Sequence, residues 1–419
     1  MKSGKDASGG VRDLLVNRDF NALWFAMLLS TAGTFFLLLA LSVSALERVD
    51  SALGVSGVFA SQWFLALFAP AAVTRLCARY RPRYTLPLIE GAGAFVTLGI
   101  ALTSEFPIAI LFLLLLLRGY LDAITKSIRT VALRLYLEGP LLERAASLFN
   151  TSYYMGGAAG ALIGTLLIAH LSIPQIALLN AATHLIATLL YLRLGRLAGP
   201  KKVETTTRRS AWTEALETLR GNHLLLAAFG RLCVTAAVFQ GFHNVARTVM
   251  PLREFGMPPS AVTMLQFLAS TAILFGALFV THFLQSNSRL KVDGTLLIAS
   301  TSIVMIAPLA GFPPITAFAV YFVFIFLFEV AFTKFQKDVV VHCPAEHMPA
   351  IASTNHAVLT LGITVTVLAV GALADAFGLL GAAVVAALAA TVANLSIFSM
   401  LGRAEGPPIA VESKEGQVE

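Results

Sequence analysis

The sequence predicts an all-α integral membrane protein, with twelve transmembrane helices forming two pseudo-symmetric six-helix bundles. Composition is the first reason. Hydrophobic residues make up 57% of the 419 and charged residues 13%, with a mean hydropathy of +0.79, whereas a soluble domain carries roughly 25% charge. Segment length is the second, because twelve apolar runs approach the ~20 residues that a helix needs to cross the hydrocarbon. An internal echo is the third. Thr125-Lys126-x-x-Arg129-x-Val131 and Thr333-Lys334-x-x-Lys337-x-Val339 each close the fourth apolar run of their half, and internal repeats of this kind flank the central site of membrane carriers.

The runs fall at 22–46, 53–76, 85–103, 107–133, 146–170 and 173–195 in the first half, and at 223–250, 259–284, 294–312, 314–340, 347–374 and 378–401 in the second. The narrowest separation is Gly311-Phe312-Pro313-Pro314, whose prolines and glycine predict a turn between the ninth and tenth runs. A tail at 1–21 precedes the first bundle (22–198), a linker at 199–222 separates it from the second (223–401), and a tail at 402–419 follows. The first tail is expected to be retained and the last to be disordered. Within the linker, Ala211 to Leu219 has apolar residues at helical spacing, which suits either a helix on the membrane surface or a solvated tether.

Loop charge orients the chain, since short cytoplasmic loops carry excess Lys and Arg. Lys2, Lys5, Arg12 and Arg18 lie in the N-terminal tail, Arg79, Arg81 and Arg83 in the second loop, and Arg134 and Arg144 in the fourth. The sixth holds Arg193, Arg196, Lys201, Lys202, Arg208, Arg209 and Arg220, and the eighth holds Arg289 and Lys291. Odd-numbered loops offer only Arg48, beside Glu47 and Asp50, and Arg253, beside Glu254. Both termini are therefore expected to be cytoplasmic. The formal charge of +7 needs no nucleic-acid partner to explain it.

Several chemistries find no motif. Cys77, Cys233 and Cys343 are odd in number and lie in or beside apolar runs, so they read as packing residues. No His/Cys/carboxylate spacing resembles a metal site. No phosphate-binding Gly-x-x-x-x-Gly-Lys-Ser/Thr loop or nucleophile elbow occurs. The expectation is a non-enzymatic protein without a cofactor.

Asn17-Arg18-Asp19-Phe20-x-x-Leu23-Trp24, followed by Leu28-Leu29-Ser30-x-x-Gly33, resembles the first helix of bacterial drug:proton antiporters of the major facilitator superfamily, including enterobactin exporter relatives. Arg118-Gly119 followed by Asp122 is similar to the Arg-Gly segment of that branch's fourth helix. Gly156-Gly157-Ala158-Ala159-Gly160-Ala161-Leu162-Ile163-Gly164 resembles its glycine-rich antiporter motif. The resemblance spans nearly the whole chain. It implies the major facilitator fold, proton-driven efflux and a bacterial cytoplasmic membrane. The chain departs from the family pattern in loop two, where Thr74 and Ala78 replace the usual glycine and aspartate while Arg79 and Arg83 remain as gating candidates. Ala161 replaces a proline, and Thr34 stands where relatives often carry aspartate.

Charges inside the apolar runs mark the candidate site, because each costs several kcal/mol unless it faces a cavity or a partner. On the fourth run Arg118, Asp122, Lys126 and Arg129 share an arc of about 80°, with Arg118 about 16 Å from Pro107, near the bilayer centre. Arg118 reads as an anion-binding or gating residue and Asp122 as a proton carrier, or the two form a fixed i,i+4 ion pair. Lys126 and Arg129 are expected to snorkel towards the cytoplasmic interface. Glu329, about 22 Å from Pro314, is a second proton-coupling candidate unless Lys334 neutralises it. Glu90 is a third, or else a structural hydrogen-bonding group. On the seventh run Arg231, Gln240, His243 and Arg247 are candidate substrate ligands, the last three on one face.

Asn150 and Tyr154, with Tyr153, suggest a binding wall, though aromatic residues also face lipid. Gly156, Gly160 and Gly164 allow close helix approach and a rocking role. The excess of cations over carboxylates points to an anionic or zwitterionic organic solute, siderophore-like or amphipathic, carried by a monomer in the lipid bilayer and exchanged for a proton. An importer uses the same cycle in reverse, and a non-transporting membrane sensor is the reading from another class.

Overall fold

The computed structural model describes residues 14, 16–103, 108–137, 139–195, 211–280, 293–344 and 346–404. Most of the N-terminal tail, with Lys2, Lys5 and Arg12, and all of the C-terminal tail beyond Ala404 lie outside the described residues. So do the linker cations Lys201, Lys202, Arg208 and Arg209, the loop cations Arg289 and Lys291, and Arg196.

Helix α1 (Arg18–Val49) starts four residues before the apolar run because Asn17 caps it, its side-chain oxygen accepting from the Phe20 N–H at 2.9 Å. It ends at Asp50, which adopts a left-handed φ of 48°. The second crossing is α2 (Ala52–Phe64), a 3₁₀ turn (Leu65–Phe68) and α3 (Ala69–Arg79). That break falls next to Pro70, which has no N–H to continue the ladder. α4 (Pro82–Thr103), α5 (Ile108–Tyr136), α6 (Gly139–Leu167) and α7 (Ile173–Leu192) complete the first half.

A short helix, α8 (Ala211–Gly221), precedes the second half. It buries Ala215 and Leu219, exposes Trp212 and Leu216, and joins the start of the eleventh crossing through Glu214 Oε1 and His347 Nδ1, 2.9 Å apart. The seventh crossing is α9 (His223–Val234) and α10 (Gly241–Val249), with a π turn after each, at Thr235–Gln240 and Met250–Glu254. α11 (Ser260–Phe279), α12 (Gly294–Ile306) and α13 (Pro314–His342) follow, and Gly311, at φ +84°, makes the turn before α13. α14 (Met348–Ala404) supplies the last two crossings, because Gly378 breaks it with φ 74°. Among the described residues this makes twelve crossings in two six-helix halves. Their outer faces carry large apolar side chains such as Phe95, Leu166, Leu296 and Phe377, as lipid contact requires.

Small residues set the packing of α1 on α6. A Cβ added at Gly156 would stand 2.7 Å from the Leu28 carbonyl oxygen, and one at Gly160 would overlap the Ala32 carbonyl. Gly164 works between the halves, where an added Cβ would meet Thr263 of α11 at 2.7 Å. α6 on α11 and α2 on α14 are the broadest contacts between the halves.

Candidate substrate cavity

The halves are joined at the end of the molecule that carries the odd-numbered loops. There Ser42 Oγ and Thr248 Oγ1 lie 2.9 Å apart. Asp375 of α14 accepts from the Ser51 hydroxyl and from the Ala52 and Leu53 N–H groups at 2.7 and 3.0 Å, so a carboxylate of one half caps a helix of the other. Arg253 completes the seal, donating to Asp375 at 3.1 Å and Asp50 at 3.2 Å.

Below this seal, at mid-depth, both halves line a cavity of about 100 Å³. The first half contributes Phe35, Trp63, Lys126, Tyr153 and Tyr154; the second contributes Gln240, His243, Arg247, Gln266 and Phe328. Arg247 is buried at 5% exposure. One of its terminal nitrogens donates to Gln266 Oε1, and its guanidinium carbon sits 4.1 Å from the centre of the Phe59 ring. Its Nε has no hydrogen-bond partner, and among the described residues no carboxylate pairs with it. His243 shares a hydrogen bond with the Tyr321 hydroxyl at 2.8 Å. Lys126 is held 3.0 Å from Asp122 and 4.7 Å from the centre of the Tyr153 ring. Lys126 therefore faces the cavity as half of an ion pair, whereas Arg247 faces it as an unneutralised cation.

A second polar cluster is sealed inside the first half. Arg129 is 1% exposed, and it donates to Ser30 Oγ at 2.8 Å, to the Tyr191 hydroxyl and to Glu90 at 3.3 Å. This corrects the expectation that Arg129 snorkels, because α4 and α7 surround it with acceptors. His184, a lone histidine in an apolar run that matches no motif, bridges Glu90 (2.9 Å from Nδ1) and Arg118 (on Nε2). An arginine only donates, so His184 Nε2 accepts and the proton of the neutral ring lies on Nδ1, facing Glu90. Arg118 also donates to Thr34 Oγ1 at 3.0 Å. Thr34, where relatives often have aspartate, thus holds an arginine as a neutral acceptor. Asp122 is 4.0 Å from Arg118 but 3.0 Å from Lys126, so Lys126 is its main partner.

Other candidates separate. Lys334 pairs with Asp338 at 2.7 Å, one helical turn beyond it, and does not neutralise Glu329. Glu329 is 4% exposed and accepts from the Thr333 hydroxyl at 2.8 Å, with no cation paired to it among the described residues. Arg231 stands apart from the cavity lining; it donates to Asn394 Oδ1 and Thr295 Oγ1, both at 3.3 Å. Arg79 ends α3 and Arg83 lies in the first turn of α4, the two flanking the short second loop, with Arg83 stacked 5.3 Å from the Tyr84 ring centre. Asn150 is on α6, and its side chain lies outside the described residues. Gln266 is a cavity residue that sequence reasoning passed over, since a single glutamine in an apolar run carries no motif.

The model of the Major Facilitator Superfamily matches residues 23–366. No curated protein matches the chain in sequence. Among solved structures, a mutant of the nucleoside transporter NupG superposes with a TM-score of 0.75 at 16% identity, covering 92% of this chain and 100% of that one. A POT family transporter in complex with 5-aminolevulinic acid gives 0.73 at 13% identity, covering 92% and 96%. A bacterial homologue of the human lysosomal transporter Spinster, inward-facing and occupied, gives 0.71 at 10% identity, covering 95% and 98%. At such identities the structures speak to the fold. With the family match, the twelve crossings and the cavity between the halves, the chain belongs to the Major Facilitator Superfamily and is a multi-pass membrane transporter, not an enzyme.

Proposed function

We propose that the protein is a secondary active transporter that moves a small anionic or zwitterionic organic solute by alternating access, its two halves rocking about the central cavity as a monomer. The observation that carries this reading is Arg247: a buried cation at the cavity wall, with an unpartnered Nε and, among the described residues, no carboxylate paired with it. A carboxylate or phosphate on the solute would satisfy it through charge-assisted hydrogen bonds. Phe35, Trp63, Tyr153 and Phe328 favour an apolar or aromatic body on that solute, as in a siderophore-like metabolite or an amphipathic acid. Arg118, Glu90 and Arg231 have protein partners and hold helices in place.

Glu329 is the proton carrier in this reading, because a carboxyl buried without a cation changes the net charge of its surroundings whenever it gains or loses a proton. Asp122, tied to Lys126, is the secondary candidate. The cations of the even-numbered loops support cytoplasmic termini, the resemblance of α1 and α6 to drug:proton antiporters supports export, and a bacterial inner membrane follows from both. An importer would run the same cycle under the opposite gradient.

Counterflow in proteoliposomes tests the charge reading, with 5-aminolevulinate, a dipeptide and a catecholate siderophore set against uncharged uridine. The acids and zwitterions should exchange in preference to uridine. Uridine exchange that outpaces every charged solute would overturn it.

A further inference from the structure

Beside the central cavity, behind Leu38 and Gln62, lies a smaller pocket of about 20 Å³ bordered by Thr34, Gln62, Arg118, Asp122 and Asn180. That is room for one monatomic ion or one water, since a single water needs about 10–15 Å³ on this measure. Three nitrogen donors bordering it have no hydrogen-bond partner: Gln62 Nε2, Arg118 Nε and Asn180 Nδ2. Arg118 is 6% exposed and Asn180 1%. The Thr183 hydroxyl donates to the Asn180 backbone carbonyl at 2.7 Å and lies 3.3 Å from its Oδ1, and the side-chain NH₂ group stands unpaired. Leaving a buried donor unpaired costs about 1–3 kcal/mol, so three around one pocket call for a shared acceptor.

Charge says which acceptor. The sealed cluster contains the cations Arg118 and Arg129 and the carboxylate Glu90, with His184 neutral in its hydrogen-bonded tautomer, while Lys126 and Asp122 neutralise each other at its partly exposed edge. It carries one uncompensated positive charge. A water accepts two hydrogen bonds and leaves both a donor and that charge unsatisfied. A monatomic anion accepts all three and cancels the charge. Asp122 borders the same pocket, but its Oδ2 is bound by Lys126 at 3.0 Å, so its charge is already answered.

We propose that this pocket binds one small inorganic anion, of the halide class, as a fixed component of the first half, separate from the transported solute. The proposal does not depend on the substrate reading, because neither Arg247 nor Glu329 takes part. A bound anion would hold α1, α2, α5 and α7 together through Thr34, Gln62, Arg118 and Asn180, and would make transport depend on the anion in the medium.

The test uses the full chain, purified in detergent, in sodium chloride, sodium bromide or sodium gluconate at one ionic strength. Chloride and bromide should raise the melting temperature by a few degrees, saturably, over gluconate. Asn180→Leu and Gln62→Leu should abolish the rise while still melting cooperatively in gluconate. Equal melting in all three salts, or a halide shift of full size in both variants, overturns the proposal and leaves a water as the occupant. Should either variant fail to fold, equilibrium dialysis of radioactive chloride against the unmodified chain decides: binding of one ion per chain supports the site, and no saturable binding overturns it.

Discussion

Arg129 and Glu90 form an ion pair inside the first half, 3.3 Å apart and at most 3% exposed on either side. Their burial is complete, so the pair behaves as one unit with His184, Tyr191 and Ser30. Breaking a buried pair by removing one partner leaves an uncompensated charge and costs about 3–5 kcal/mol, whereas replacing both by apolar groups is much cheaper. Arg129→Met should therefore lower the thermal stability of the detergent-solubilised protein strongly. Arg129→Met combined with Glu90→Leu should cost less than the sum of the two single changes, and a melting series on the three variants measures that coupling.

The glycines of α6 make a graded prediction. Gly157 has room, since an added Cβ would meet Phe35 no closer than 3.4 Å, so Gly157→Ala should leave folding and transport near normal. Gly160 faces the Ala32 backbone directly, and a backbone cannot rotate away as a side chain can. Gly160→Val should force α1 and α6 apart and reduce the yield of monodisperse protein on size-exclusion chromatography.

The cap that Asp375 places on α2 joins the halves at the odd-loop end and must open in any alternating cycle. Asp375→Ala removes the acceptor of four donors, from Ser51, Ala52, Leu53 and Arg253. The variant should spend more of its time open at that end. A cysteine placed at the fully buried Ser56, against Gly371, should then react faster with a water-soluble maleimide than it does beside an intact Asp375.

Arg247 and Arg231 share one crossing but should answer differently. Arg247→Gln should raise the KM for a transported acid at least tenfold, the scale of a lost charge-assisted bond of about 1.5–3 kcal/mol. Arg231→Gln should leave KM within a few-fold and act on stability instead, through Asn394 and Thr295. Initial-rate kinetics with melting curves on both variants separate the two effects.

Much of the architecture was legible because lipid leaves few options: long apolar runs, a Gly-Pro turn at 311–314 and basic even-numbered loops specify the crossings. Arg247 and His243 could be read as cavity residues because a polar group in an apolar run needs water or a partner, whereas Lys126, expected to snorkel, lines the cavity instead. The partner of each charge was harder to read. Glu90, Arg129 and His184 sit on different helices, and helix neighbours are not encoded at any fixed spacing. Arg231 and Arg247 read alike as cations of one apolar run, with only Gln240, His243 and Arg247 on a shared face; in the structure a π turn at Thr235–Gln240 lies between the two arginines. Asp338 was within reach, since Lys334 and Asp338 stand at i,i+4.

The central claim, that Arg247 holds the solute while Glu329 carries the proton, meets its most direct test in pH-gradient-driven flux of 5-aminolevulinate or another acid that exchanges, measured in proteoliposomes. The unmodified chain should accumulate the solute against its concentration gradient, Glu329→Gln should retain exchange but lose accumulation, and Arg247→Gln should lose both at low solute concentration. Accumulation that persists in Glu329→Gln, or exchange in Arg247→Gln at the unmodified rate, would contradict the account.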